Sequence, residues 1–258
     1  MIANKCYENT VYDIWQEMTS EDKRYAAEYL NETDENKENA VAEIKRWIEE
    51  NDNLPTQIND FLILRFLRVG KFDLEKTKSR IENYYKQRSK LPEWYKNKNP
   101  FQPELQELLD LGIMLPLRKP DSQGRLVLIF RATLHNPSIH KMPFIAKINI
   151  LAMEAAIQHY PLSSVYGCSM LIDTSNPTIR HIIQFKPYDI MNAVELWQNC
   201  YPSRFHVYSD AGNCFEDIPT NILPIEYGGT DGTLQELTEY WKKCIEDNCN
   251  LLTKDESD

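Results

Sequence analysis

The sequence predicts a mixed α/β fold: a helical N-terminal bundle, then a domain built on a mostly parallel sheet. Three observations predict it. The first third carries apolar residues at helical spacing and no β-rich run. Beyond about residue 120, short β-rich runs alternate with helical ones, the pattern of βαβ units. The chain has 258 residues, 42% of them hydrophobic, enough for a sizeable core.

In "ENKENAVAEIKRWIEEN", Val41, Ile44, Trp47 and Ile48 fall on one helical face. "TQINDFLILRFLRVG" is apolar on nearly every face, broken only by Arg65 and Arg68. It predicts a buried helix stopped by Gly70 at the position after the cap. Asp73 is placed to cap the next helix, "LEKTKSRIENYYKQRS", whose stripe is Ile81, Tyr84 and Tyr85. "LPEWYKNKNPFQP" has three prolines and little periodicity, and predicts a linker. The expected domains are therefore residues 1–95, helical, and 96–258, α/β.

In the second domain, 125–132 ("RLVLIFRA") and 163–173 ("SSVYGCSMLID") predict strands, and 143–160 predicts a helix between them. Residues 177–199 predict a helical turn, a break at Pro187, then a helix. "FHVYS" (205–209) predicts a further strand, and "GTLQELTEYWKKCIED" a closing helix. No internal repeat or low-complexity segment is present.

Charge and motifs exclude more than they assign. The net charge of −10 argues against a nucleic-acid partner. It is uneven: residues 21–60 hold 12 acidic and 5 basic residues, and 65–98 hold 11 basic and 4 acidic. The second window offers a local face for an anionic membrane; the plainer reading is a solvated helix surface. The N-terminus is too polar for a signal peptide, and no apolar run approaches the roughly 20 residues of a membrane span, so a cytoplasmic location is expected. The six cysteines form no CxxC pair and read as structural thiols. No phosphate-cradling glycine loop, GxSxG elbow or HExxH is present, and the five histidines (His135, His140, His159, His181, His206) show no ligand spacing. No enzyme activity, metal or cofactor is expected. What remains is a large apolar allotment without a catalytic constellation, which fits a pocket for an apolar molecule.

Several stretches, in order, resemble the CRAL-TRIO (Sec14-like) lipid-binding family, in its tocopherol-transfer, retinaldehyde-binding and clavesin-like branch. They are "DFLILRFLRVGKFDLEKTKSRIENYYKQRSKLPEWY", "LVLIFRA", "IDTSNPTIRHIIQFKP", "NCYPSRF" and "LPIEYGGTDG", spanning roughly residues 20 to 247. The resemblance implies a helical module before a CRAL-TRIO α/β domain whose sheet floors a hydrophobic cavity, with a mobile helix over its mouth. It implies binding and transfer between membranes of a tocopherol-, retinoid- or phospholipid-like ligand, with phosphoinositide-assisted docking of a peripheral, monomeric protein. The alternatives are a phosphoinositide-reading module that moves no cargo, and a truncated isoform with impaired activity.

Matching places Ile129, Ile139, Phe144, Ile148, Leu151, Leu171, Ile182, Phe185, Ile190 and Val194 around the cavity; ordinary core is the competing reading of each. It places Arg65, Arg68 and Lys71 at the phosphoinositide site. Here Val69-Gly70 stands where tocopherol-transfer proteins resemble "RFLRARxF"; the resemblance implies that one arginine of the site is missing, with Lys71 the candidate to replace it. Tyr227, Gly228 and Gly229 read as structural. In the family, the motif like "CYPSRF" runs into a strand and a gate helix before the strand like "HVYSD". Here His206 follows Phe205 at once. On the order of 30 residues are absent at that seam, as an exon-skipped isoform, a gene-model truncation or a natural lineage with a shortened gate.

Overall fold

A computed structural model describes residues 18–55, 58–200, 203–204 and 218–253. The helical part comprises α1 (Ser20–Leu30), α2 (Asp34–Glu49), α3 (Asp60–Val69), α4 (Leu74–Lys90), α5 (Pro92–Tyr95) and α6 (Pro103–Leu111). Local chemistry sets their starts. Thr19 with Asp22 and Thr33 with Asn36 form capping boxes on α1 and α2, and Asn59 and Asp73 cap α3 and α4. Val41, Ile44 and Ile48 of α2 and Ile81 and Tyr84 of α4 are buried.

Gly70 differs from expectation. It keeps right-handed angles, and the left-handed turn is made by Lys71 and Phe72, both at φ 56°. Gly70 answers to a close approach instead: a Cβ there would stand 2.5 Å from the Thr77 hydroxyl. The expected linker also differs. Trp94 and Tyr95 of α5 are buried in the same cluster as the sheet, so hydrophobic burial overrides the three prolines.

The α/β part comprises β1 (Met114–Pro116), β2 (Leu126–Arg131), α7 (Met142–His159), α8 (Ser163–Tyr166), β3 (Cys168–Asp173), α9 (Ile179–Gln184), α10 (Pro187–Cys200), β4 (Ser203–Arg204), α11 (Leu234–Asp247) and α12 (Cys249–Leu252). Among the described residues the sheet order is β1-β2-β3-β4. The β1–β2 pair is antiparallel; β2–β3 and β3–β4 are parallel. The α6 helix and β1 carried no sequence expectation, and the expected strand at 163–173 begins instead with the short α8. The expected strand at 205–209 and the seam at Phe205–His206 lie outside the described residues.

The glycines of "LPIEYGGTDG" are structural in two ways. Gly228 takes φ 74°, closing a 3₁₀ turn (Ile225–Tyr227). A Cβ at Gly229 would lie 2.0 Å from the Leu223 carbonyl oxygen. Between them they let Tyr227 donate its hydroxyl to Asp173 Oδ2 at 2.5 Å, tying this segment to the end of β3.

Candidate functional site

Strand register builds the floor of a cavity. Met114, Phe130 and Ile172 are paired across β1, β2 and β3, which sets them in one row on one face. Over them lies α7, whose Met142, Ile145, Ala146, Asn149, Ile150 and Met153 recur at three- and four-residue spacing and so form one stripe. Helices α9 and α10 close the side with Ile182, Phe185, Ile190, Val194 and Trp197, and Trp94 of α5 completes the wall. The cavity measures about 550 Å³, within the usual range of roughly 300–1,000 Å³ for small-molecule sites. Its polar lining is sparse: Thr133, Asn149, Thr174, His181 and Asp189. Asn149 Oδ1 is buried without a hydrogen-bond partner among the described residues.

The mouth is apolar on its outer side too. Ile179 is 76% exposed, Ile182 and Ile183 are 69% exposed, and Met191 is 71% exposed. Solvated isoleucine and methionine clustered on two short helices make an apolar patch of a kind monomeric proteins rarely leave uncovered.

Four of the ten matched pocket residues, Ile182, Phe185, Ile190 and Val194, line this cavity. Ile129 and Leu171 pair with each other one residue short of the Phe130–Ile172 row, so the pleat turns them to the opposite face. Ile148 and Leu151 are buried but stand off the α7 stripe. Phe144 is half-buried, with Lys147 Nζ 5.5 Å from its ring centre. Ile139 is exposed in the loop before α7.

Of the three basic residues that matching gave to a phosphoinositide site, Arg65 and Arg68 are buried. Arg65 is 4% exposed and holds Glu154 of α7 through two hydrogen bonds, at 2.8 and 3.2 Å. Arg68 is 5% exposed; its Nε and Nη2 meet Glu32 at 2.7 and 2.8 Å and its Nη1 donates to Ser164 Oγ at 2.5 Å. A guanidinium shut in low dielectric needs such a carboxylate, and these two fasten α3 to α7, to α8 and to the turn after α1. Lys71 is exposed, on the left-handed turn. Among the described residues no group of three or more His, Cys, Asp or Glu could hold a metal, and no helix is long and apolar enough to cross a membrane.

Comparison with known proteins gives the same outline. The model of a Pinta-like UBA domain matches residues 33–105, and that of the CRAL/TRIO domain matches residues 112–209. Relatives include "Alpha-tocopherol transfer protein-like" of Mus musculus and of Homo sapiens, each 26% identical. Their alignments take in 74% and 72% of this chain and 64% and 63% of the relative. "Clavesin-2" of Homo sapiens is 29% identical over 57% of this chain and 45% of the relative. The chain thus spans less than two thirds of the relatives' length. The mouse alignment runs over 224 positions but uses 74% of 258 residues, about 191, so about 33 positions lack a counterpart here. The clavesin alignment has 147 positions on 57% of the chain, about 147 residues, and shows no such shortfall. Residues 112–209 thus match the CRAL/TRIO domain, and the chain is similar to relatives named for tocopherol transfer and to clavesins.

Proposed function

We propose that this protein binds one small hydrophobic molecule in the cavity under α7 and carries it between membranes. The observation that supports the reading best is the cavity itself: about 550 Å³, apolar, and opening beside the exposed isoleucines of α9. A lipid tail entering it gains roughly 0.8 kcal/mol per buried CH₂, which removes the need for covalent chemistry. Asn149 Oδ1, an acceptor in an apolar wall, favours a ligand with one hydroxyl donor over a hydrocarbon. The relatives named for tocopherol transfer are consistent with that class. The exposed face of α9 and α10 supplies the surface that meets a bilayer during exchange. In this reading Arg65 and Arg68 brace the fold, and phosphoinositide attraction falls to exposed cations such as Lys71, Lys86 and Lys96.

The test is to purify the chain, extract it with organic solvent and identify co-purifying lipid by mass spectrometry. Transfer of that lipid between vesicles with and without phosphoinositides then measures docking. Lipid bound one-to-one and moved between vesicles supports a carrier. Headgroup-dependent binding without lipid would indicate the module instead.

The roughly 33 unmatched positions favour a second reading, a shortened isoform with impaired transfer. Sequencing the transcript against genomic DNA decides it: a contiguous transcript with no skipped exon contradicts an isoform. Loss of cooperative melting in the purified chain would support a damaged product.

A further inference from the structure

Helix α9 has only six residues, too few to hold itself. Its first turn is held by His181. The Thr178 hydroxyl accepts from the His181 backbone N–H at 3.4 Å, and His181 Nδ1 accepts from the Thr178 backbone N–H at 3.1 Å and lies 2.8 Å from its hydroxyl. The other ring nitrogen, Nε2, is 2.9 Å from the His135 carbonyl oxygen. A carbonyl only accepts, so Nε2 carries the proton and Nδ1 is bare. The bond from the Thr178 N–H to Nδ1 therefore requires a neutral imidazole. The capping boxes of α1, α2 and α11 use Asp22, Asn36 and Glu236 at the same position; only a histidine there changes charge between pH 5 and 8.

The other end of α9 depends on the same cluster. Gln184 Oε1 is 2.8 Å from His135 Nε2, and its amide donates to the His140 carbonyl at 2.6 Å. The His135 ring stands 4.9 Å from that of His181 and 6.3 Å from that of His140. All three rings are buried. Glu107 of α6 bonds His140 Nε2 at 2.9 Å. Among the described residues no carboxylate bonds His135 or His181. Arg180 of α9 donates to Ser138, and Asp189 lines the same cavity from α10.

We propose that His181, with His135 and His140, is an acid-operated latch: protonation uncaps α9 and opens the cavity mouth. That the opening releases ligand rests on the carrier reading above. A proton on Nδ1 would point at the Thr178 backbone N–H, which can only donate, and put a charge on a ring 4.9 Å from that of His135. His135 resists charging as well: burial lowers its pKa, and the neighbouring His181 and His140 lower it further, against the Gln184 hydrogen bond. Because burial lowers the His135 pKa in the closed cluster, the contribution of that ring to closure is whole above its ordinary value of about 6.5 and weakens as pH falls below it.

The experiment is hydrogen exchange on the ligand-free full chain at about pH 7.5 and about pH 5.5, corrected for intrinsic exchange. It reads residues 177–186, with α2 as the internal reference. Wild type loses about tenfold protection in α9 at the lower pH, while His181→Asn, which copies the Asn36 cap, holds its protection at both. Unchanged wild-type protection, or an equal loss in His181→Asn, overturns the latch. A fluorescent apolar probe loaded at pH 7.5 is then followed into phosphatidylcholine vesicles. Release that ignores pH while α9 responds overturns the release step. Failure of any probe to bind, with α9 still responding, overturns the carrier reading and leaves the latch standing.

Discussion

Arg65 and Glu154 are 89 positions apart in the chain and 2.8 Å apart in space. The pair joins α3 of the helical module to α7, the helix over the cavity. It couples the rigidity of one part to the shape of the other.

Glu154→Ala removes the carboxylate that two hydrogen bonds tie to Arg65, a guanidinium only 4% exposed. Loss of one partner of such a pair costs roughly 3 kcal/mol, read as a lower urea midpoint. Arg65→Met, which leaves only a partly exposed carboxylate behind, costs less. If Arg65 instead served headgroups, its replacement would reduce phosphoinositide binding at unchanged stability.

Ala146 faces the cavity from α7. Ala146→Phe fills part of the space, and bound lipid recovered by extraction falls at least about fivefold, roughly 1 kcal/mol of affinity. A melting temperature equal to or above wild type separates this from misfolding. Unchanged lipid content would mean that the ligand sits elsewhere.

Ile179→Asp with Ile183→Asp changes two residues at 76% and 69% exposure. Stability moves by no more than about 0.5 kcal/mol each, while sedimentation with vesicles drops severalfold. Sedimentation equal to wild type would remove this face from membrane contact.

Tyr227 and Asp173 predict an acid effect. Burial alone would raise the Asp173 carboxyl, but hydrogen bonds from Ser175 and Tyr227, with the charge of Arg131, outweigh it and hold the group below 3.8. A lowered carboxyl gives stability that is whole above its unfolded value and lost as pH falls through the folded one. Tyr227→Phe removes one of those bonds and raises the pH midpoint of acid unfolding, followed by circular dichroism. An unmoved midpoint would show that the bond carries no weight.

The architecture was readable because its signals are periodic and local: the α2 stripe, the Asp73 cap, the break at Pro187. Choosing faces within it was not. β2 reads Leu126–Arg131 with apolar residues on both faces, so alternation could not separate Ile129 from Phe130. α7 is apolar nearly all round, which hid the stripe of Ile145, Asn149 and Met153 behind Ile148 and Leu151. One signal was available: Asn149, a neutral polar residue inside "FIAKINILAM". The ion pairs of the arginines were not legible either. Matching placed Arg65 and Arg68 at a phosphoinositide site on a helix read as buried, and nothing nearby in sequence announced carboxylates 89 and 36 positions away.

The most direct measurement is native mass spectrometry of the freshly purified chain beside solvent extraction of the same sample. The carrier account predicts a complex heavier than the 30.3 kDa chain by one small hydrophobic molecule, lost in Ala146→Phe. A spectrum of bare chain alone, from protein that melts cooperatively, would contradict it.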